Sequence, residues 1–333
     1  MLTAKQNFLE MKNHGKPDRF VKQYEPFHCV FTPVYKHRNN PKRGELNKIN
    51  DWGVTVSWAE NEPGAFPNHR PDLIVCKDIE KWQDYVKAPT VEFPEAECEA
   101  CQAECEKIDR NEQYLTVFHA PGIFEQCHYL CEIANTLAAF YEYPDELKEL
   151  MKYIAEWEVK VADVTCEHLH PDAILHHDDW GTQRSTFFAP DMFGEFLLEP
   201  YKEVYGRWKE NGVEIIVHHS DSYAQTLVPY MIEIGIDVWQ GVMTTNDIPA
   251  MIEQYGDKIT FMGGINSAEV DYEGWTPEVV KQRVIEACQN GPYSFIPCAS
   301  QGLAVSTFPG VYDEINKQID AYSPIYFKEH GLA

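Results

Sequence analysis

The sequence predicts an α/β protein: a (β/α)8 barrel forming one domain over residues 1–333, with an N-terminal helical and loop extension. An open, doubly wound sheet is the alternative. Three observations carry this reading. Beyond residue 113, six short apolar runs alternate with amphipathic stretches, the pattern of a parallel sheet covered by helices. The runs are apolar throughout, as in strands buried on both faces. No glycine-rich phosphate loop follows any of them, which lowers the nucleotide-binding version of the open sheet.

The elements follow in order. "MLTAKQNFLEMKNHGKPDRF" reads as a short amphipathic helix stopped by Gly15 and Pro17, without the apolar stretch of a secretory signal. "CVFTPVY" and "GVTVSWA" read as early strands set among Pro-rich loops, and one or two such units would complete a barrel. The Glu-rich stretch 94–110 is helix-prone, and Cys98, Cys101 and Cys105 share one of its faces. There cysteine packs as a small apolar residue, which is favoured over a metal cluster. "YLTVFHA" is a strand, 121–141 a broken helix on which Cys127, His128 and Cys131 read as packing, and 143–170 a long helix. "DAILHHDDW", "VEIIVHHS", "IDVWQGV", "KITFMGGI" and "YSFIPCA" are the next strands. The helices between and after them fall near 190–211, 224–234, 247–255, 276–290 and 309–322.

Composition excludes several function classes. Acidic residues number 53 against 28 basic, a formal charge of −25, which repels nucleic acid and anionic membranes. No run approaches the roughly 18 apolar residues of a membrane span, so a cytoplasmic protein is expected. Ten cysteines without a signal sequence indicate thiols, not a disulfide framework.

Polar residues gather at one end of successive strands. His119 ends the first; His176, His177, Asp178 and Asp179 the second; His218, His219 and Asp221 the third. Gln240, Asn266 and Cys298 follow on later ones. In a barrel those C-terminal ends build the active site. His219 and Asp221 share one turn, and Cys298 ends a strand further along. Imidazole, carboxylate and thiolate are all zinc ligands, and three of them leave a fourth position for substrate. Alternatively, Asp221 orients His219 and Cys298 is buried and inert. His119, Trp180, Gln183, Tyr223 and Gln240 stand beside these positions as candidate substrate contacts, and Trp239 adjoins them. Core packing is the competing role for the aromatics. Strand alternation points only one of each neighbouring histidine pair inward.

"DDWGTQ" (178–183), "APDMFGEFLLEPYKEVY" (189–205), "VHHSDSYAQTLVPYMIEIGIDVWQGV" (217–242) and "DKITFMGGI" (257–265) resemble the uroporphyrinogen decarboxylase superfamily. "DWGVTVSW" and "PGAFP" near residues 51–67 are similar to its methyltransferase-like members. The resemblance implies a (β/α)8 barrel and one of two chemistries, cofactor-free tetrapyrrole decarboxylation or zinc-dependent methyl transfer involving a corrinoid. The corrinoid branch carries a His-x-Cys…Cys zinc site. His219 matches its histidine, Cys298 its second cysteine, and Asp221 falls where the first cysteine would be. A carboxylate in place of a thiolate makes a harder, more electrophilic metal, better suited to oxygen. The decarboxylase branch grips substrate carboxylates with an arginine-rich N-terminal segment, and here "GKPDRFVKQYEPFH" offers Arg19 alone.

The expectation is therefore demethylation of a small methyl ether, a methoxylated aromatic among the candidates. Zinc on His219, Asp221 and Cys298 would be the Lewis acid, with Asp178 or Asp179 as general acid or imidazole-orienting group. His176 and His177 are alternates for either role. No Asp-x-His-x-x-Gly pattern is present, so the corrinoid is expected on a partner protein. A decarboxylase of a carboxylated substrate and a methylcorrinoid:thiol methyltransferase are the alternatives.

Overall fold

The computed structural model describes residues 1–303 and 306–332. Among the described residues there are ten strands: β1 (Phe27–Val30), β2 (Lys48–Ile49), β3 (Thr55–Ser57), β4 (Phe66–Pro67), β5 (Tyr114–His119), β6 (Ala173–His177), β7 (Ile215–His219), β8 (Val238–Val242), β9 (Thr260–Ile265) and β10 (Phe295–Ala299). Seven form one curled parallel sheet in the order β1-β5-β6-β7-β8-β9-β10. Helices follow the strands from β5 onward, the longest being Pro144–Leu169. This is the α/β barrel architecture that the alternating pattern predicts.

The early part of the chain departs from expectation. Only β1 joins the barrel sheet. "GVTVSWA" supplies β3, which pairs antiparallel with β2 and β4 in a separate three-stranded sheet. Short flanking strands with a proline in β4 suit such a meander, because proline cannot donate to a ladder in a sheet interior. Among the described residues no eighth ladder strand joins β10 to β1. The segment 20–24 lies there instead: Gln23 donates a side-chain hydrogen bond to the Gln301 carbonyl (3.1 Å), and the Tyr24 hydroxyl donates to that of Gly302.

Strand parity divides the core. Phe118, Leu175, Val217, Val238, Met262 and Ile296 face the barrel interior, where Phe8 and Met11 of the helix Ala4–Lys12 join them. Their neighbours Val117, Ile174, Ile216, Trp239, Phe261 and Phe295 face the helices. The helix Glu95–Cys105 buries Cys98, Cys101 and Cys105 on one face. Among the described residues no helix is long and apolar enough to cross a membrane.

Candidate functional site

The same parity sorts the histidines into two tiers. His119, His176 and His218 are register neighbours across β5, β6 and β7, and so are His177 and His219. His177 and His219 share the parity of Leu175 and Val217 and open into the barrel mouth, where both line a cavity of about 370 Å³. His176 and His218 share the parity of Ile174 and Ile216 and point outward, fully buried.

Within the mouth, His177, Asp179 and His219 have ligand-capable atoms within 4.8 Å of one another. Each imidazole is held from behind. His177 Nδ1–H donates to Glu125 Oε2 at 2.8 Å, and His219 Nδ1–H donates to the Gln240 side-chain carbonyl. Both Nε2 atoms are thereby left for the cavity side, and that of His219 lies 3.7 Å from Asp179 Oδ1. The two rings stack with centroids 4.3 Å apart. Asp179 also accepts the Asp221 backbone N–H at 3.0 Å, which brings the Asp221 carboxyl beside it. The cavity walls are aromatic: Tyr35, Trp58, Phe66, Phe118 and Tyr129.

Electrostatics follow from this crowding. Burial alone would lower the His177 pKa, but Glu125, Asp179 and Asp221 outweigh it and raise it to about 10. Burial and neighbouring His177 push His219 down to about 4. Burial and the Asp179 carboxylate push Asp221 up to about 8.

The remaining sequence-predicted residues lie elsewhere. Asp178, adjacent to Asp179, is fully buried and turned away from the cavity. It accepts hydrogen bonds from the backbone N–H groups of Phe124 (3.0 Å) and Glu125 (2.7 Å), the Trp180 indole N–H (3.1 Å) and the Tyr201 hydroxyl. Asp178 thus caps the helix Ile123–Cys131, satisfying two of the N–H groups a helix start leaves unpaired. Gly122 permits this close approach, since a Cβ there would sit 2.5 Å from His176 Cε1 and 2.6 Å from Asp178 Cβ.

Trp180 does not reach the cavity but stacks on His218, centroids 4.0 Å apart. His119 is likewise outside, packed against Trp157 of the long helix on the helix side of the sheet. Gln183 is exposed, and half-buried Tyr223 accepts from Gln225 at its hydroxyl. Gln240 lies beneath the mouth, bridging His219 to the Gln301 carbonyl. Cys298 lies in the apolar barrel interior, 1% exposed, outside the cavity lining and outside the cluster of close ligand atoms. Burial pushes its thiol pKa up, so the site favours the neutral thiol.

Two carboxylates escaped sequence reasoning. Glu125 follows a strand by one short turn, and its position in "PGIFEQC" was the available signal. Glu158 falls in the apolar stripe of the long helix, between Ile154 and Val161, and is 1% exposed. It lies between two outward histidines: His176 Nε2–H donates to Oε2 at 2.8 Å, and His119 Nε2 is 3.7 Å from Oε1. These three form a second close cluster of ligand-capable atoms, sealed behind the sheet. Burial would raise the Glu158 pKa, but the two imidazoles lower it to about 2.

A metal ion is implied by the resemblance, and the mouth cluster fits one. Its donors are two imidazole nitrogens and a carboxylate oxygen, each imidazole oriented by a hydrogen bond at its far nitrogen, as metal-bound histidines are.

Comparison with known proteins adds family and fold. The uroporphyrinogen decarboxylase family model matches residues 48–314. The structure is similar to a methyltransferase from Methanosarcina mazei, with a TM-score of 0.66 and 14% sequence identity over 97% of this chain and 99% of that one. At that identity the likeness is one of fold. A structure from Listeria monocytogenes assigned as a vitamin-B12 independent methionine synthase gives a TM-score of 0.33 and 13% identity, covering 61% of this chain and 68% of that one. That score is too low to carry an argument. No curated protein sequence matches the chain.

Proposed function

The chain belongs to the uroporphyrinogen decarboxylase family, and from that premise we propose that it is a metal-dependent methyltransferase moving a methyl group from a small methyl ether to a corrinoid carried by a partner protein. One observation carries the choice: His177, Asp179 and His219 converge on an aromatic-walled cavity at the barrel mouth. The methyltransferase fold shared with the Methanosarcina protein supports the same choice. A decarboxylase gripping a polycarboxylate would need arginines there, and among the described lining residues there are none.

In this reading His177, Asp179 and His219 hold zinc, with Asp221 beside them. That set replaces one containing Cys298, whose thiol is buried in the apolar interior. When bound, zinc supplies Lewis acidity toward the ether oxygen. Glu125 and Gln240 fix the two imidazoles by holding their Nδ1–H groups. The aromatic walls exclude water and hold the methoxy-bearing ring. The C–O electron pair stays with oxygen, which takes up a proton, and the acceptor's own pair forms the new bond to carbon. Asp221, on the cavity wall beside Asp179, is the carboxyl group assigned to deliver that proton.

The test is a single-turnover assay of zinc-loaded protein with a cobalt(I) corrinoid and aryl methyl ethers. Loss of the cobalt(I) spectrum with stoichiometric phenol is expected. Inertness toward every ether, together with metal-free carbon dioxide release from a carboxylated substrate, would establish the decarboxylase reading instead. Methylation of thiols by methylcorrinoid with no ether reaction would establish the thiol methyltransferase.

A further inference from the structure

Gly302 lines the cavity, and its backbone lies outside the left-handed region that favours glycine. Conformation therefore does not call for glycine there; space does. A Cβ on Gly302 would lie 3.1 Å from His219 Cε1, 3.2 Å from His219 Nε2 and 3.3 Å from His177 Cδ2. The two rings stack with centroids 4.3 Å apart, so a point this near to both lies at the edge of the stack and not over one face. That edge carries Nε2 of His219 and the carbon adjoining Nε2 of His177, the side that faces the cavity. Neither party is free to retreat. The Gly302 carbonyl accepts the Tyr24 hydroxyl, and the Gln301 carbonyl accepts from the side chains of Gln23 (3.1 Å) and Gln240 (2.9 Å). Gln240 and Glu125 hold the two imidazoles from behind.

We infer that Gly302 is a specificity-determining residue: its missing side chain keeps open the space at the imidazole edges through which the substrate oxygen reaches the metal. This rests on the methyltransferase reading and deepens it. Three protein donors leave zinc a fourth position for an outside ligand, and that position is useful only if the wall beside it leaves room. At Gln301–Gly302 the wall is backbone, which comes this close to the imidazoles because no Cβ intervenes. Gly64 supplies the contrast. It lines the same cavity, its backbone is also outside the left-handed region, and a Cβ there meets nothing within 4 Å. One methyl group at position 64 enters open space, whereas one at position 302 overpacks a contact pinned on both sides. Overpacking of that kind weakens binding by on the order of 10-fold.

The probe is phenol, the oxygen-donor product of the proposed reaction. Its affinity for the zinc-loaded full chain is measured by calorimetry without corrinoid, in the parent, Gly302→Ala, Gly302→Val and Gly64→Ala. Access to the metal is read separately, from the change that phenol makes in the visible spectrum of cobalt(II)-loaded protein. All four proteins are expected to keep the parent zinc content. Gly302→Ala should bind phenol about 10-fold more weakly, Gly302→Val should lose both the binding and the spectral change, and Gly64→Ala should stay within about 2-fold of the parent. If Gly302→Val does not fold, the alanine variant against the Gly64→Ala control decides. Parent-like phenol binding in Gly302→Ala overturns the inference, as does an equal loss in Gly64→Ala, which would mean that cavity volume alone matters. Loss of zinc from a folded Gly302→Ala also overturns it, because the side chain would then displace the ion and not what reaches it. A parent that holds no zinc or ignores phenol does the same. The single-turnover assay separates the two claims. The predicted binding order without methyl transfer leaves the role of Gly302 standing and removes the methyltransferase reading. Methyl transfer at equal rates in the parent and both Gly302 variants does the reverse.

Discussion

Replacing Asp178 with alanine removes the acceptor from four buried donors: two helix-start amides, the Trp180 indole and the Tyr201 hydroxyl. A buried donor left unsatisfied costs about 1–3 kcal/mol. Four at the low end give about 4 kcal/mol. A protein of 333 residues unfolds with an entropy of about 0.7 kcal/mol/K near its midpoint, so that loss lowers the melting temperature by about 6 °C. Asp179→Ala is the control one residue away. Its side chain is 27% exposed, and its one backbone partner, the Asp221 amide, lies at the same cavity wall. Its midpoint is expected within about 2 °C of the parent, a loss near 1 kcal/mol. The assay is thermal unfolding by circular dichroism at one scan rate, with chelator present so that metal binding does not contribute. Metal content should show the opposite pattern, kept by Asp178→Ala and lost by Asp179→Ala. Equal melting of the two variants, or an Asp178→Ala midpoint within 2 °C of the parent, would refute the division of labour between these neighbours.

Two further outcomes follow from the tier behind the sheet. Glu158 titrates at about 2 when folded against an ordinary 4.5, so its contribution is complete above pH 4.5 and disappears as pH falls toward 2. The stability involved is about 3 kcal/mol; urea midpoints between pH 5 and 2.5 should fall less steeply in Glu158→Gln, and identical slopes would discard the assignment. Gly122→Ala forces a methyl group against His176 and Asp178, where backbone must shift. Overpacking of this kind costs about 1–3 kcal/mol, and an unchanged melting temperature would mean that the contact relaxes freely.

The barrel was legible because buried parallel strands leave continuous apolar runs that few other elements imitate. The direction of each histidine was legible too, but only as a choice between neighbours, since alternation selects one of each pair without saying which. What β3 joins was not legible. A three-residue strand carries the same pattern whether it enters a barrel or a meander. Cys298 illustrates a different limit: a cysteine at a strand end is equally a ligand and a small apolar residue, and only its depth distinguishes them. Trp180 followed the site motif closely enough to suggest substrate contact, yet it packs on the outward His218. The wall residues Tyr35, Trp58 and Phe66 come from the short helix Pro33–His37, a loop and the small sheet, brought over the mouth by tertiary structure that no local pattern announces. Glu158 was the missed opportunity, because a lone carboxylate in an apolar helical stripe signals a buried partner.

In the proposed reading the barrel-mouth histidines and Asp179 form one metal centre. It is tested most directly by the zinc content of protein expressed in zinc-supplemented medium and exchanged into metal-free buffer, comparing the parent with His177→Ala and Cys298→Ala. About one zinc per chain is expected in the parent, the same in Cys298→Ala, and little or none in His177→Ala with its fold intact by circular dichroism. Full zinc in His177→Ala together with its loss from Cys298→Ala would refute this site, moving the metal to His219, Asp221 and the interior thiol.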